Sequence, residues 1–329
     1  MNLETGVAVH SELSRRGFLG LAATTGLVVA SAATASAAPG GVTVAHAFGS
    51  THIAAPPRRV VSAGFTEQDD LLALGVVPVA TTEWFGNQPY AVWPWAQPRL
   101  GGARPTVLSL ANGIQVDRIA ALRPDLIVAA NAGVDAASYE RLSAIAPTIP
   151  QSGAVPFFES WKQQATAIAQ AVFRPEAMKS QIEAIDAAFT NIARTFPQFQ
   201  GKSIASLQGS TRWQDSAIAT RAGWKTEWLT QMGFVIPAGL DAFGRADDDR
   251  AYIPVDQIDA ALGGVDVLLW RTESEADVAA LQAIPAVAAF GNRNVFTTRE
   301  QSAAIAFTSP LSFPLVADQL PPLLARAVS

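Results

Sequence analysis

Ile114-Gln115-Val116-Asp117-Arg118-Ile119, followed by Pro124-Asp125-Leu126-Ile127-Val128, has a counterpart further along the chain. The second copy reads Ile253-Pro254-Val255-Asp256-Gln257-Ile258, then Val265-Asp266-Val267-Leu268-Leu269. Each copy predicts a short helix with an aspartate in its first turn, then an aspartate at the mouth of an apolar strand. Free amides and the helix dipole favour a first-turn carboxylate by about 0.3–1 kcal/mol, so either copy alone is ordinary. Together they place one acidic residue at a matching point on each of two similar halves.

Working outward from the first copy, residues 58–64 predict a strand, 66–74 a helix stopping at Gly75, and 76–82 a second strand. Strand, helix and strand at this spacing form a βαβ unit, which implies a right-handed crossover and a mostly parallel sheet. A helix over 116–122, a strand over 126–130 and a helix over 135–146 complete an α/β lobe spanning 58–155. The lead-in, 38–57, offers an edge strand at 42–45. Around the second copy lie strands at 203–208, 265–270 and 294–298 and helices at 224–232, 255–262 and 276–283. A last helix over 310–327, expected to break at Pro321 and Pro322, closes a second lobe spanning 198–329. Between the lobes, over 156–197, Trp161, Ala165, Ile168 and Val172 recur at helical spacing. Met178, Ile182, Ile185, Phe189 and Ile192 do so again beyond Pro175. The second helix, about 21 residues and 30 Å long, reads as a rigid spine or as an ordinary packing helix. The expected fold class is α/β: two Rossmann-like lobes joined by a rigid long helix.

Composition narrows the function. At 329 residues the chain exceeds the roughly 250–300 at which single cores stop growing. A net charge of -5 argues against nucleic acid as a partner. The absence of cysteine removes thiol catalysis, thiolate zinc sites and a lipid-modified cysteine. The three histidines, His10, His46 and His52, all precede the first core strand, which argues against a Ser-His-Asp triad or a multi-histidine metal centre. No G-x-S-x-G elbow is present. The expectation is a non-enzyme with no cofactor and no metal ligands of its own. At the N-terminus, Ser14-Arg15-Arg16-Gly17-Phe18-Leu19 is a twin-arginine pattern, followed by an apolar stretch and the A-x-A signal Ala35-Ser36-Ala37. Residues 1–37 are therefore expected to be a cleaved signal peptide, the alternative being a retained anchor. The mature protein should be an untethered extracytoplasmic monomer with no ATP or NAD pool to draw on.

Several short segments, in their order and spacing, resemble a known family. They are Arg59-Val60-Val61-Ser62, Ala73-Leu74-Gly75-Val76, Pro89-Tyr90-Ala91-Val92-Trp93-Pro94-Trp95-Ala96, Ile119-Ala120-Ala121-Leu122-Arg123-Pro124-Asp125-Leu126-Ile127, Ala146-Pro147-Thr148 and Ser309-Pro310-Leu311-Ser312. Across essentially the whole mature chain they resemble the iron-siderophore ABC-transporter substrate-binding proteins of class III. The resemblance implies a ligand held between two lobes and an acidic residue on each lobe that docks onto arginines of a membrane permease. By position these are Asp117 and Asp256, where the family usually has glutamate, one methylene longer.

Trp84, Phe85, Tyr90, Trp93 and Trp95 fall within twelve residues that also hold Gly86, Pro89 and Pro94. Such a segment is not a regular helix. As a set the rings read as one wall of an interlobe cleft. Arg212, Trp213, Phe243, Trp270, Arg271, Arg299 and Phe307 are the candidates facing them. The competing readings are a structural aromatic patch for each ring and a solvated surface charge for each arginine. A ferric siderophore suits this mixture, because its iron arrives already wrapped in chelating oxygens. Rings supply contact area, and guanidinium forks bond the oxygens. A hydroxamate or mixed-ligand complex fits better than a highly anionic catecholate, which asks for a dense arginine cluster. Haem would need an axial residue that only Tyr90, Tyr139 or Tyr252 could supply. Two further alternatives are an envelope scaffold or sensor without import and a secreted hydrolase using carboxylates in Ala246-Asp247-Asp248-Asp249-Arg250. That acidic run is more simply a solvated loop.

Overall fold

Two five-stranded sheets carry the fold, and each begins as a short apolar strand laced to its neighbour by an aspartate of the internal repeat. The computed structural model describes residues 40–246 and 248–328. The expected signal peptide at 1–37 lies outside the described residues.

In the first lobe the elements are β3 (Val60–Ser62), α1 (Glu67–Ala73), β4 (Ala80–Glu83), β5 (Thr106–Ser109), α2 (Val116–Ala121), β6 (Leu126–Ala129), α3 (Ala136–Ser143) and β7 (Thr148–Pro150). They follow β1 (Val42–His46) and β2 (Gly49–Ile53), which pair with each other as an antiparallel hairpin instead of adding an edge to the lobe's sheet. Strand order is β5-β4-β3-β6-β7, all parallel. Strands β3 and β6 are buried at every position, as expected of parallel strands covered on both faces. The Asp125 carboxylate accepts from the backbone N–H groups of Arg58 and Arg59 at 2.8 and 2.7 Å, fixing the entry to β3.

Between the two sheets in chain order come α4 (Trp161–Ala171) and α5 (Pro175–Thr195), with proline opening the second helix where its missing N–H is harmless. Beyond it come β8 (Ile204–Gln208), β9 (Ser216–Thr220), α6 (Glu227–Gln231), β10 (Arg250–Pro254), α7 (Ile258–Leu262), β11 (Val267–Arg271), α8 (Glu275–Gln282), α9 (Pro285–Ala289), β12 (Asn294–Phe296), α10 (Arg299–Phe307) and α11 (Phe313–Val328). Their order, β10-β9-β8-β11-β12, repeats that of the first lobe when strands are counted in chain order within each lobe. Asp266 repeats the role of Asp125, accepting from the Ser203 N–H at 2.8 Å and its hydroxyl at 2.7 Å.

Besides the hairpin at β1 and β2, two further sequence expectations change. The second sheet is mixed, because β9 runs antiparallel to both of its neighbours, β8 and β10, and follows β8 without a crossover helix. Their small residues, Ser216-Ala217-Ile218-Ala219-Thr220, give little strand signal. The closing helix runs unbroken through Pro321 and Pro322. Its buried face of Phe313, Val316, Leu320, Leu324 and Ala327 outweighs an interior-proline penalty of about 3 kcal/mol. No helix among the described residues is long and apolar enough to cross a membrane.

Candidate ligand-binding cleft

In open α/β sheets a crevice forms where strand order reverses, beyond the carboxyl ends of the strands on either side. Here the reversals lie between β3 and β6 and between β8 and β11. A glycine comes soon after the first strand in each case. A Cβ on Gly64 would collide with Glu67 Oε1 and lie 2.6 Å from the Asn131 carbonyl. On Gly209 it would collide with the Arg271 carbonyl and lie 2.7 Å from Thr272 Cα. Both lobes thus bring backbone against backbone at the same topological point.

The two crevices are filled differently. In the first lobe α1 begins three residues after Gly64, and its first residue folds back. The Glu67 carboxylate accepts from the N–H groups of Gly64 and Asn131, each at 2.7 Å, and from the Ser62 hydroxyl at 3.2 Å. Burial pushes this carboxyl up to about 7, against the lowering effect of those bonds. Asp69 is raised to about 6 by burial, although it accepts from Ser309 Oγ at 2.5 Å and Trp95 Nε1 at 2.8 Å. Asp70 is raised well above the ordinary range by burial and accepts from Gln164 of α4 at 2.7 Å. Glu67 thus ties α1 to the strand ends of its own lobe, while Asp69 ties it to Ser309 of the second lobe and Asp70 to Gln164 of α4.

The second crevice is open. It leads into a cavity of about 640 Å³, within the range of small-molecule sites. Ser206, Gln208 and Arg271 come from the strand ends, and Trp84, Phe157, Phe158 and Glu159 from the opposite side. Trp224, Lys225, Asp248, Asp249, Arg250, Glu273 and Asp277 complete most of the polar and aromatic wall. Phe65 stacks between Trp84, Phe157 and Phe158 at 5.7, 5.8 and 6.3 Å, which supports these rings from behind. Lys225 is ion-paired to Asp249 at 2.6 Å and lies over the Phe158 and Trp224 rings at 5.4 and 5.3 Å. Arg250 pairs with Asp248 at 2.9 Å. Burial works to raise Asp248, but bonds from Arg250 and Tyr252 leave it below the ordinary carboxylate range. Arg271 makes no ion pair among the described residues, and burial lowers its affinity for its proton.

Of the twelve residues expected to grip a ligand, the structure brings Trp84 and Arg271 to the cavity. Five of the other ten, Phe85, Trp93, Trp95, Arg299 and Phe307, serve the seam between the lobes. Trp93 and Trp95 stack at 5.2 Å with an interplanar angle of 3°, and Phe307 of the second lobe packs edge-on against both. Phe85 lies 5.9 Å from the same Phe307. Arg299 crosses to donate to the Gly86 carbonyl at 3.2 Å and sits 6.0 Å from the Trp93 ring. Trp270 is fully buried in the core, its indole N–H donating to Asn294. Tyr90 packs with Leu72, Val92 and Leu100, and Phe243 packs against the main core. Arg212 is exposed and Trp213 half-buried in the loop between β8 and β9. None of the three tyrosines lines the cavity. Nor is the acidic run simply a solvated loop: Asp248 and Asp249 line the cavity as ion pairs, while Asp247 lies outside the described residues.

Sequence reasoning misses Phe157, Phe158, Glu159, Trp224 and Lys225. Helical periodicity draws Phe158 into the linker and Trp224 into the helix after it. Yet Pro156, and the positive φ of Phe158 at 55°, place 157–159 in a loop. Among the described residues no group of three or more His, Cys, Asp or Glu side chains is placed to hold a metal ion. Asp117 and Asp256 are both exposed in the first turns of corresponding helices.

Residues 60–302 match the model of the family described as periplasmic binding protein. A crystallised periplasmic solute binding protein from Mycobacterium smegmatis is 53% identical, the match covering 89% of this chain and 100% of that one with a TM-score of 0.83. A probable siderophore-binding lipoprotein of Bacillus subtilis, YfiY, is 29% identical over 200 residues. That match covers 59% of this chain and spans 57% of the relative's length. PiaA of Streptococcus pneumoniae, crystallised with ferrichrome, shares the fold at 21% identity, with 87% of this chain and 98% of that one covered and a TM-score of 0.73.

Proposed function

This chain belongs to the periplasmic binding protein family, and from that premise we propose that it is an extracytoplasmic receptor that captures a ferric siderophore between its lobes and hands it, unaltered, to an ABC permease. The observation that carries the proposal is the cavity at the second switch point. It has the volume of a small-molecule site, aromatic walls and a guanidinium with no ion pair among the described residues. Such a site suits a chelate whose iron is already coordinated by the ligand's own oxygens. The siderophore-binding Bacillus subtilis relative points the same way. Residues 58–155 and 198–329 act as the gripping lobes and 156–197 as the linker. The aromatic seam and the Asp69–Ser309 bond favour small lobe motions, which scattering profiles with and without ligand measure.

The direct test titrates tryptophan fluorescence with a panel of ferric siderophores and with haem. Ferric siderophores should quench through Trp84 and Trp224, whereas haem should not. Failure of every ferric siderophore to quench overturns the reading. Asp117 and Asp256 are our candidates for permease docking: Asp117→Arg with Asp256→Arg should leave binding intact and stop uptake. We further propose twin-arginine export, tested by loss of the exported form when Arg15 and Arg16 become lysine. The Bacillus relative is a lipoprotein, but this sequence has no cysteine to lipidate, so its retention would depend on an envelope barrier.

A further inference from the structure

The charges around the cavity are unequal once internal pairs are set aside. Lys225 is committed to Asp249 and Arg250 to Asp248. One lining cation, Arg271, then remains against three lining carboxylates, Glu159, Glu273 and Asp277. Glu159 is 8% exposed and is held by the Ser152 N–H at 2.9 Å and its hydroxyl at 3.2 Å. Asp277 accepts from Ser274 Oγ at 2.8 Å and from the Glu273 N–H at 3.2 Å, both on Oδ2. The Glu273 carboxylate has neither a hydrogen bond nor an ion pair among the described residues, and its burial raises its proton affinity against the weaker, opposing field of Arg299. Glu273 and Asp277 stand just beyond the end of β11, whose last residue is Arg271. One guanidinium and two carboxylates therefore share one wall of the cavity.

This wall is built for a ligand of mixed charge. Arg271 supplies donors to negative oxygens, and the acid whose field reaches it, Asp249, is already paired with Lys225. Glu273 and Asp277 supply acceptors, and Arg299, the cation whose field reaches Glu273, is turned to the Gly86 carbonyl. A polyanionic complex would satisfy the guanidinium and be repelled by the carboxylates, and a neutral one would leave the carboxylates desolvated without compensation. Resting on the receptor reading above, we infer that the chelate bound here carries a basic, ammonium-type substituent, held by Glu273 and Asp277 while its chelating oxygens face Arg271. The class is a neutral-core ferric hydroxamate bearing a cationic group, as opposed to a ferric tris-catecholate trianion.

The experiment uses one linear trihydroxamate ferric complex in three forms: with its terminal amine free, acetylated and succinylated, giving cationic, neutral and anionic complexes of the same core. Dissociation constants come from tryptophan quenching of the mature protein, with a ferric tris-catecholate as a fourth ligand. Affinity should fall in the order amine, acetyl, succinyl, with roughly tenfold between the first two, as expected for a charge-assisted hydrogen bond in a half-buried site. The amine-to-acetyl ratio should collapse toward one in Glu273→Gln with Asp277→Asn, while thermal unfolding shows that this variant remains folded. Equal binding of the three forms, tighter binding of the tris-catecholate, or a ratio that survives the double substitution overturns the inference and leaves the receptor reading standing. Absence of quenching by every ferric complex overturns the receptor reading and the inference with it.

Discussion

The two switch points share strand order, a crowded glycine and an aspartate-laced first strand, yet one is plugged and the other holds a cavity. In the first lobe a helix starts three residues after Gly64, and its leading carboxylate bonds back to both strand ends. In the second, the chain leaving Gly209 enters the antiparallel strand β9, so no helix start folds back over Arg271. The lesson is that topology supplies a crevice twice. The residues just past the glycine decide whether the protein fills it or a ligand does.

The largest expected effect comes from emptying the plugged crevice. Glu67→Leu leaves the buried N–H groups of Gly64 and Asn131 without their acceptor and should cost about 4 kcal/mol of stability. Urea unfolding measures it, and a loss below about 1 kcal/mol would mean that Glu67 merely fills space.

Next is the dependence on pH, which should belong mainly to the same crevice. Glu67 rises from 4.5 to about 7 and Asp69 from 3.8 to about 6, each chiefly through burial. Raised carboxyls bind more protons folded than unfolded, so stability is greatest below about pH 4 in this respect, falls as pH rises, and levels off above about 7. The fall is about 3 kcal/mol per independent group and less for this coupled cluster. Glu67→Gln with Asp69→Asn should flatten the profile between about pH 5 and 7.5. An unchanged slope in that variant would contradict the assignment.

The open crevice should behave oppositely. Arg271→Met should weaken ferric siderophore binding by about a hundredfold, or about 2.7 kcal/mol. It should also leave the ligand-free protein up to about 1 kcal/mol more stable, because a half-buried charge without an ion pair has gone. Destabilisation together with retained affinity would place Arg271 in the scaffold.

Smallest is the seam. Trp95→Phe removes the indole donor to Asp69 and should cost about 1 kcal/mol while affinity changes less than about twofold. A tenfold loss of affinity would extend the site from the cavity into the seam.

Much of the fold was legible because helical spacing, proline and glycine punctuation and the repeated Asp117–Asp125 and Asp256–Asp266 segments are local signals. The site was less so. The aromatic loop at 84–95 stands out in the sequence, but composition cannot say which side of a ring faces a gap. Trp93, Trp95 and Phe307 bury one another between the lobes, and Trp84 turns toward the cavity instead. Arg271 was identifiable at the end of an apolar strand. Glu273 and Asp277, two and six residues on, look like any acidic helix start.

The sequence by itself determined two α/β halves, the helical character of the stretch between them and the scarcity of histidine and cysteine, because periodicity and composition can be read without knowing the fold. Only the tertiary structure decided which crevice stays open and which charges in it remain without an internal pair. Those outcomes depend on contacts such as Glu67 with Asn131, Lys225 with Asp249 and Trp93 with Phe307. Such partners are separated along the chain and become neighbours only when a sheet has folded, or, for Trp93 and Phe307, when the two lobes have packed together.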